Sequence, residues 1–286
     1  MSQKKVLLAG ASGSVGSRVL RLLKKDDIYV RTLSRDPKRA QNYLNMADET
    51  RIADATKANS LKGICEDIDV VFSCLGASVA MDLKHRKSYM AIDYQANKNI
   101  LDEAKKAGVK RFVYMSAHVG ESYAHTTYIC AHEAFVKELA ISGLNYTVLR
   151  PTGIYTSLED FLSMAQWGLA PMIGNGKAVS NPVDPNDVAE ISMQYMWEGP
   201  IELSFGGPEI ISRKDMIVKA FEARRKKPRI ISVPPFIFRL SSFMLRFIHP
   251  RMSQLLDFAL HVCIDDTIAP KIGKRTLLDY YKGLVK

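Results

Sequence analysis

A glycine-rich run near the start of the chain, GASGSVG from Gly10 to Gly16, is the first pattern able to bind a ligand. It separates an apolar segment of strand length from an amphipathic segment, which predicts a strand, a turn and a helix. Gly10 permits a tight turn, Gly13 lets the backbone approach a pyrophosphate, and Gly16 lets the helix pack against the strand. The helix N-terminus would offer free N–H groups to the phosphates. We therefore expect phosphate contacts from Gly10, Ser12, Gly13, Ser14, Val15 and Gly16.

The end of the second predicted strand indicates which dinucleotide would bind. A site specific for NAD(H) needs a carboxylate about 20 residues beyond the glycines, to hold the ribose 2′-hydroxyl. Here Ser34 and Arg35 stand in that place, and Lys38 and Arg39 follow. A hydroxyl and a guanidinium suit a 2′-phosphate, which arginine can bind through two parallel hydrogen bonds. Asp36 is expected to start the next turn and to point away. NADP(H) is therefore favoured over NAD(H), and a solvated basic loop is the alternative.

Segments of strand length alternate along the chain with segments of helical period. Strands are predicted at 5–10, 28–33, 50–53, 69–74, 111–115, 145–149 and 201–205, and helices at 15–25, 94–107 and 128–142. Repeated strand–helix–strand order requires a parallel sheet with helices on both faces. The expected class is α/β, a Rossmann doubly wound parallel sheet with a small, mostly helical C-terminal lobe that caps the substrate cleft.

The charge divides the chain into two parts. Residues 1–212 carry 24 Lys and Arg against 24 Asp and Glu, whereas residues 213–286 carry 16 against 6 and so hold the whole net charge of +10. We place an NAD(P)-binding Rossmann domain at 1–207, with 155–180 contributing to the cap, and a basic, apolar cap lobe at 208–286. No nucleic-acid-binding motif accompanies the basic region, so no nucleic acid partner is expected.

Two features of the C-terminal region leave its role open. Residues 224–229 are a run of basic residues interrupted by one proline, and residues 236–248 form an apolar helical segment broken only by Arg239, Ser242 and Arg246. A solvated surface beside a cap packed on the core accounts for both. The alternative is peripheral contact with an anionic membrane or with a large protein complex.

Composition limits the remaining possibilities. With 286 residues, 47% of them hydrophobic, the chain can bury a large core. No window is long and apolar enough to predict a membrane span, and the opening apolar run leads into glycines, which favours a strand over a signal peptide. The four cysteines lie far apart and are expected to be buried thiols in a reducing compartment. The expected location is the cytoplasm, or the mitochondrion if the protein joins a large complex.

Taken in order, the motifs resemble those of the atypical short-chain dehydrogenase/reductases, in the branch of NmrA-like and complex I 39-kDa-subunit-like proteins. The motifs are GASGSVG, LSRDP, Asp54-Ala55, FSCLG, KRFVYMS, YTVLRPTGIY, VDPNDVA and FGGPEIIS. They cover most of residues 4–235 and are more specific for the superfamily than for the branch. The resemblance implies a Rossmann fold that binds a nicotinamide dinucleotide.

The same resemblance assigns roles to residues at the ends of the later strands. Asp54 and Ala55 would lie beside the adenine. Its ribose would be lined by Cys74, Leu75 and Gly76. The nicotinamide ribose would lie over Met115 and Ser116, and its carboxamide beside Pro151, Thr152, Gly153 and Ile154. Asp187 would begin a helix that packs on the core without touching the cofactor.

The catalytic motif of the family is only partly matched in this chain. Active members of the wider family use a tyrosine and a lysine one helical turn apart, the tyrosine transferring a proton and the lysine lowering its pKa. Here Tyr128 is present, but His132 stands at the lysine position. The usual serine is represented by Ser116, although Ala117 or His118 aligns better. The candidate catalytic residues are Tyr128, which would also contact the cofactor, His132 and Ser116.

Two functions therefore remain open. One is a reductase that transfers hydride from NADPH to an unidentified small apolar carbonyl or quinone-like substrate. The other is a non-catalytic NADP(H)-binding protein with a structural, assembly or sensor role. A sugar-nucleotide epimerase is disfavoured by the missing lysine and the apolar C-terminal lobe. His118, His125 and His132 recur every seven residues, but no carboxylate or cysteine completes a set, so no metal site is predicted.

Overall fold

The computed structural model describes residues 3–41, 43–76 and 88–285. Its first elements are β1 (Lys5–Ala9), α1 (Ser14–Lys25), β2 (Tyr29–Ser34), α2 (Pro37–Ala40), β3 (Glu49–Ile52), β4 (Val70–Ser73), α3 (Gln95–Lys106), β5 (Arg111–Met115), α4 (Thr127–Ala140) and β6 (Asn145–Pro151). There follow α5 (Asp160–Trp167), β7 (Ala170–Ile173), β8 (Val179–Ser180), α6 (Pro185–Gln194), β9 (Glu202–Phe205), β10 (Ile211–Ser212), α7 (Arg213–Ala223), β11 (Ile230–Val233), α8 (Pro235–Ile248), α9 (Pro250–Ile264) and α10 (Leu277–Val285).

The main sheet contains the seven strands that the sequence predicts. Their order is β3-β2-β1-β4-β5-β6-β9, and every neighbouring pair is parallel. The central strands are short apolar runs without polar alternation, as both faces of a parallel sheet require. Helices cover both faces, each over its own hydrophobic core. The predicted Rossmann fold is confirmed.

This strand order creates the position where a ligand can bind. The chain moves outward from β1 to β2 and β3, then returns to place β4 on the other side of β1. The connections therefore run in opposite directions on either side of β1 and β4, leaving a crevice at the carboxyl ends of these strands. In open α/β sheets such a crevice is where ligands bind.

A second lobe has a hydrophobic core of its own. That core joins residues from the 155–180 segment to residues of α7 and α10, among them Tyr155, Phe221 and Tyr281. Two small sheets accompany it, β8 with β10 antiparallel and β7 with β11 parallel. These strands are not predicted from the sequence, because segments of two to four residues are too short to display a period.

The C-terminal tail is tied to the Rossmann domain through a buried carboxylate. Asp187 accepts hydrogen bonds from the backbone N–H groups of Lys274 and Arg275, at 2.6 and 2.9 Å, and pairs with the Arg275 guanidinium. The resemblance implied that Asp187 begins a helix. The structure places it in the first turn of α6 instead. The helix begins at Pro185, and the carboxylate of Asp184 caps it by accepting from the Asn186 N–H. Among the described residues, no helix combines the length and apolarity needed to cross a bilayer.

Candidate functional site

The turn between β1 and α1 has the shape that a bound pyrophosphate requires. Gly10 has φ +98°, and a Cβ there would lie 2.8 Å from the carbonyl carbon and oxygen of Cys74. The Gly13 N–H donates to the Gly10 carbonyl at 2.9 Å, which closes the turn. A Cβ on Gly16 would overlap that same carbonyl. Glycine is therefore required at both ends of the turn for steric reasons.

The N-terminus of α1 is available to an anion. Gly13 is the N-cap residue and has no side chain to accept from the first N–H groups of the helix. Ser12 and Gly13 are exposed, so the first N–H groups of the helix face an accessible concave surface. Because residue 13 is glycine, no side chain at that position covers this surface. Val15 is buried and lines the core, and it can contribute only backbone. Ser14 is shared with the second lobe, since its hydroxyl lies 3.3 Å from that of Thr156. These residues fit the phosphates of a dinucleotide.

Two charged side chains directly follow β2, those of Arg35 and Asp36. Asp36 caps α2, because its carboxylate accepts from the Lys38 N–H at 2.9 Å. The buried Ser34 hydroxyl donates to the Asp36 carbonyl at 3.0 Å. Arg35 is exposed, and within the described parts of the chain it has no ion-pair partner. The Asp36 carboxylate is thus held by the turn, and the Arg35 guanidinium is exposed to a ligand.

The predicted adenosine contacts lie at the same edge of the sheet. Asp54 forms a turn by accepting from the Thr56 N–H at 3.0 Å, and the carbonyl of buried Ala55 accepts from the Asn99 amide at 2.8 Å. The Cys74 thiol donates to the Ala9 carbonyl at 3.4 Å, and burial raises its pKa to about 12, so it is no nucleophile. The Leu75 carbonyl accepts from the side chain of Asn97, while Gly76 packs against the Asp93 carboxylate.

The predicted nicotinamide contacts follow at the ends of β5 and β6. Met115 and Ser116 are buried, and the Arg150 guanidinium donates to the Ser116 hydroxyl at 3.5 Å. The segment 151–154, at the end of β6 and just beyond it, is held by three backbone contacts and one side-chain hydrogen bond. Its contacts are His118 N–H to Pro151 O, Thr152 Oγ1 to Asn181 O, Val183 N–H to Gly153 O, and the bridge between Ile154 and Val183. The predicted residues are therefore gathered along one edge.

His132 does not occupy the role of the family lysine. It is only 4% exposed, its Nδ1 lies 2.6 Å from the Tyr114 hydroxyl, and its Nε2 lies 3.5 Å from Oδ1 of Asp93. Burial, with a smaller effect from the Arg150 charge, lowers the pKa of His132 to about 3. The imidazole is thus neutral at physiological pH and enclosed in the core. The hypothesis that it relays a proton is not supported by this geometry.

Tyr128 lies in an aromatic cluster formed by two lobes. Its ring centroid is 5.2 Å from Tyr89, 4.7 Å from His132 and 4.6 Å from Phe258 of α9. Burial raises the pKa of Tyr128, and the nearby Asp93 carboxylate adds to that effect. The lysine of the family acts in the opposite direction. Tyr128 therefore keeps its proton and can act as a hydrogen-bond donor, but it does not readily become a tyrosinate.

Several residues of the site were not predicted from the sequence. Asp93 lies fully buried on a single π-helical turn, Met90–Tyr94, a distortion that often marks functional sites. Phe258 covers Tyr128 from a helix more than a hundred positions along the chain. Neither has a local motif. A third group, His125 with Asp257 and His261, does carry a signal, because the last two residues are one helical turn apart on α9.

Comparison with known proteins agrees with this geometry. The model of a family described as NAD(P)H-binding matches residues 10–191. Protein TIC 62 of Arabidopsis thaliana is 28% identical over 174 residues, 52% of this chain and 27% of that protein. The divinyl chlorophyllide a 8-vinyl-reductase of Arabidopsis thaliana is 27% identical over 253 residues, 80% of this chain and 60% of that protein. The chain thus spans less than two thirds of the length of each of these two relatives. A photosystem II assembly factor of Trieres chinensis is 21% identical over 97% of this chain and 86% of its own.

Solved structures show the same fold. The Escherichia coli NADPH-dependent quinone oxidoreductase QOR2, complexed with NADPH, superposes with a TM-score of 0.72 over 98% of this chain and 100% of its own, at 18% identity. A nucleoside-diphosphate-sugar epimerase of Staphylococcus aureus gives 0.75 over 98% and 100%, at 15% identity. At these identities the likeness concerns the fold alone.

The sheet order, the glycine cradle and the open helix N-terminus together define a Rossmann protein that binds a nicotinamide dinucleotide. More particularly, the chain belongs to the NAD(P)H-binding family, whose match covers most of the first lobe. The resemblance to atypical short-chain dehydrogenase/reductases of the NmrA-like type is thereby confirmed.

The low pKa of His132 predicts a pH dependence of stability. In the unfolded chain this histidine takes up a proton near pH 6.5, whereas in the folded protein it does so only near pH 3. Below pH 6.5 the unfolded state therefore binds more protons. His132 should lower the free energy of unfolding by up to about 1.4 kcal/mol per pH unit, or about 2 kcal/mol at pH 5. Urea unfolding at pH 7.5, 6 and 5 measures the slope, and His132→Gln should show a smaller one. Equal slopes in the two proteins would contradict the assignment.

Proposed function

We propose that this protein is an NADPH-dependent reductase of a small, apolar carbonyl or quinone-like compound. The observation that carries the proposal is the position of Tyr128, in an aromatic cluster at the start of α4, the helix that follows the carboxyl end of β5. Burial raises the pKa of its hydroxyl, which therefore keeps its proton. When bound, the cofactor would supply hydride. The chain would supply backbone N–H groups for the pyrophosphate and a hydrogen-bond donor for the substrate oxygen.

The preference for NADPH rests on the charges at the end of β2. The Asp36 carboxylate is committed to capping α2, so it is not available to a ribose 2′-hydroxyl. Arg35 is exposed beside it, and the neighbouring Lys38 adds a second positive charge. A 2′-phosphate would gain charge-assisted hydrogen bonds from this group, while the diol of NADH would not.

Replacing Arg35 by Ala should separate the two cofactors. We expect the Kd for NADPH to rise about 10- to 100-fold, because the variant loses a charge-assisted hydrogen bond worth about 1.5–3 kcal/mol. The Kd for NADH should be nearly unchanged. Fluorescence titration of the purified protein measures both constants. Arg21→Ala, which removes an exposed arginine from α1, is the matched control and should leave both unchanged. Tighter binding of NADH than NADPH by the wild-type protein would refute the preference.

The surroundings of Tyr128 support an apolar substrate. Phe258 and Tyr89 contact its ring, and Tyr123 contacts Phe258 at a centroid distance of 6.0 Å. Such a lining favours a flat apolar acceptor and stabilises charged sugar nucleotides poorly. The divinyl chlorophyllide 8-vinyl-reductase among the relatives is a reductase by name, which is consistent with this class.

Tyr128→Phe tests the catalytic part of the proposal. NADPH oxidation against a panel of carbonyls and quinones should show turnover by the wild type and a kcat about 100-fold lower in the variant, since a positioned proton donor contributes at least that factor. The Kd for NADPH should change far less than kcat, because phenylalanine keeps the ring that would contact the cofactor. Tyr146→Phe on β6 is the control. Tight NADPH binding without turnover on any acceptor would instead favour the rival function.

That rival is a non-catalytic NADP(H)-binding protein with an assembly or sensor role. Its support is specific: the position of the family lysine holds a neutral, buried His132, and the pKa of Tyr128 is raised where the active family needs it lowered. One relative is named as a photosystem II assembly factor, which is consistent with such a role. In this role the bound cofactor would stabilise the two lobes against each other.

We also propose that α8 binds an anionic membrane surface. None of its fourteen residues is buried, and Phe243 and Phe247 are 60% and 77% exposed. The opposite side of the helix meets α9, where the Ser242 hydroxyl donates to the Ser253 carbonyl at 2.9 Å. The outward side is a continuous apolar arc formed by Phe236, Ile237, Leu240, Phe243, Met244, Phe247 and Ile248.

Charge indicates what covers that arc. Arg239 and Arg246 are exposed and seven residues apart, so they border one side of the apolar arc. The basic run at 224–229, which is exposed from Arg225 onward, ends just before β11, which leads into α8. Basic residues bordering an outward apolar face suit a bilayer of anionic lipid, where phenylalanines enter the acyl boundary and arginines meet headgroups.

Vesicle binding tests this surface. The wild type should sediment with vesicles of phosphatidylglycerol and phosphatidylcholine, less so at high salt, and the Phe243→Asp/Phe247→Asp double variant should not. Ile141→Asp, at another exposed apolar residue, is the control and should bind as the wild type does. No binding by the wild type would refute the proposal, and a dimer abolished by the double variant would assign the arc to a second copy of the chain.

A further inference from the structure

Outside the dinucleotide cleft, a cluster of metal-ligating side chains joins the two lobes. His125, Asp257 and His261 each place one ligand atom within 4.8 Å of the others. His125 lies in the short segment that leads into α4, while the other two residues lie one turn apart on α9. The imidazole rings of His125 and His261 are neighbours, with centroids 5.0 Å apart and planes perpendicular.

The chemistry of the three side chains selects a class of ion. Two imidazoles and one carboxylate suit Zn²⁺ and related divalent transition metals, whereas Mg²⁺ and Ca²⁺ favour oxygen ligands alone. A tetrahedral Zn²⁺ needs its ligand atoms about 3.3 Å apart, given bonds of about 2.0 Å. Small side-chain rotations would bring these atoms together from their present separation.

A second carboxylate orients one of the ligands. Nδ1 of His261 lies 3.3 Å from Oδ2 of Asp265, one turn further along the chain. Metal-binding histidines commonly donate their second ring nitrogen to such a carboxylate, which fixes the ring and increases its basicity. The contact leaves Nε2 of His261 as the nitrogen free for an ion. This support distinguishes the cluster from a chance meeting of polar side chains at the surface.

We propose that His125, Asp257 and His261 bind one divalent transition metal ion, Zn²⁺ by preference, as a clamp between α9 and the N-terminal end of α4. With three protein ligands, a fourth position stays open to water on the side where His125 is exposed. The proposal does not depend on the reductase function.

The clamp would act on the candidate donor. Phe258 directly follows Asp257 on α9, and its ring contacts Tyr128 of α4 at 4.6 Å. His125 precedes Tyr128 by three residues, just before the start of the same helix. An ion held across these two elements would therefore fix the distance between Tyr128 and the residue that covers it, and would hold the second lobe against the Rossmann domain.

Calorimetric titration of the full-length, chelator-treated protein with Zn²⁺ tests the site. We expect one ion per chain, with affinity at least tenfold lower in His125→Ala and in His261→Ala. Asp257→Asn, which keeps the shape of the side chain but weakens the ligand, should also bind more weakly. Glu121→Gln, an exposed carboxylate in the turn before His125, is the control and should bind as the wild type does. Co²⁺ in place of Zn²⁺ should give the visible absorption of a four-coordinate ion.

Hydrogen exchange tests the clamp itself. Zn²⁺ should slow amide exchange in α9 of the wild type and leave that of His261→Ala unchanged. Absence of binding, or equal affinity in His125→Ala and the wild type, would overturn the site. Binding that leaves exchange in α9 unaltered would overturn the clamp. NADPH titration of the same samples keeps these outcomes separate from the cofactor proposal, because the cluster shares no residue with the phosphate turn.

Discussion

The close backbone contact between the first turn and the end of β4 is the constraint on which the site depends. Gly10 adopts a positive φ with its α-carbon against the carbonyl of Cys74, and the carbonyl of Gly10 in turn leaves no room for a side chain on Gly16. Because both approaches exclude a Cβ, the start of α1 is held near the crevice at the carboxyl ends of β1 and β4. The unfilled N–H groups of the helix then face the crevice that the strand order creates.

Burial decides the chemistry at the other end of the crevice. The same burial that keeps His132 neutral also raises the pKa of Tyr128. The pair therefore cannot act as the tyrosine and charged lysine of the family do. What remains is a donor whose hydrogen bond is available but whose proton is tightly held. Such a group suits an acceptor that develops negative charge on oxygen, and it equally suits a protein that binds its cofactor without turnover.

The second lobe connects this donor to the surface. On helix α9, Phe258 contacts the ring of Tyr128, and Asp257 and His261 belong to the cluster with His125. The helix also contacts α8. The tail then returns to the first lobe through the buried Asp187. Contacts made by one helix therefore couple the candidate donor, the cluster and the exposed apolar arc.

The sequence by itself determined the features that depend on local periods and on glycine. It predicted the seven strands of the main sheet and the phosphate turn, since each follows from patterns within a few positions, whereas most residues along the carboxyl edge were assigned by the resemblance to a known family. Only the tertiary structure decided the fate of His132, because its burial between Tyr114 and Asp93 comes from distant segments. The same holds for the short strands of the second lobe and for the meeting of His125 with α9. Burial and the distances between remote segments leave no local signal in the chain, and these two quantities set the pKa of a side chain and the ligands around an ion.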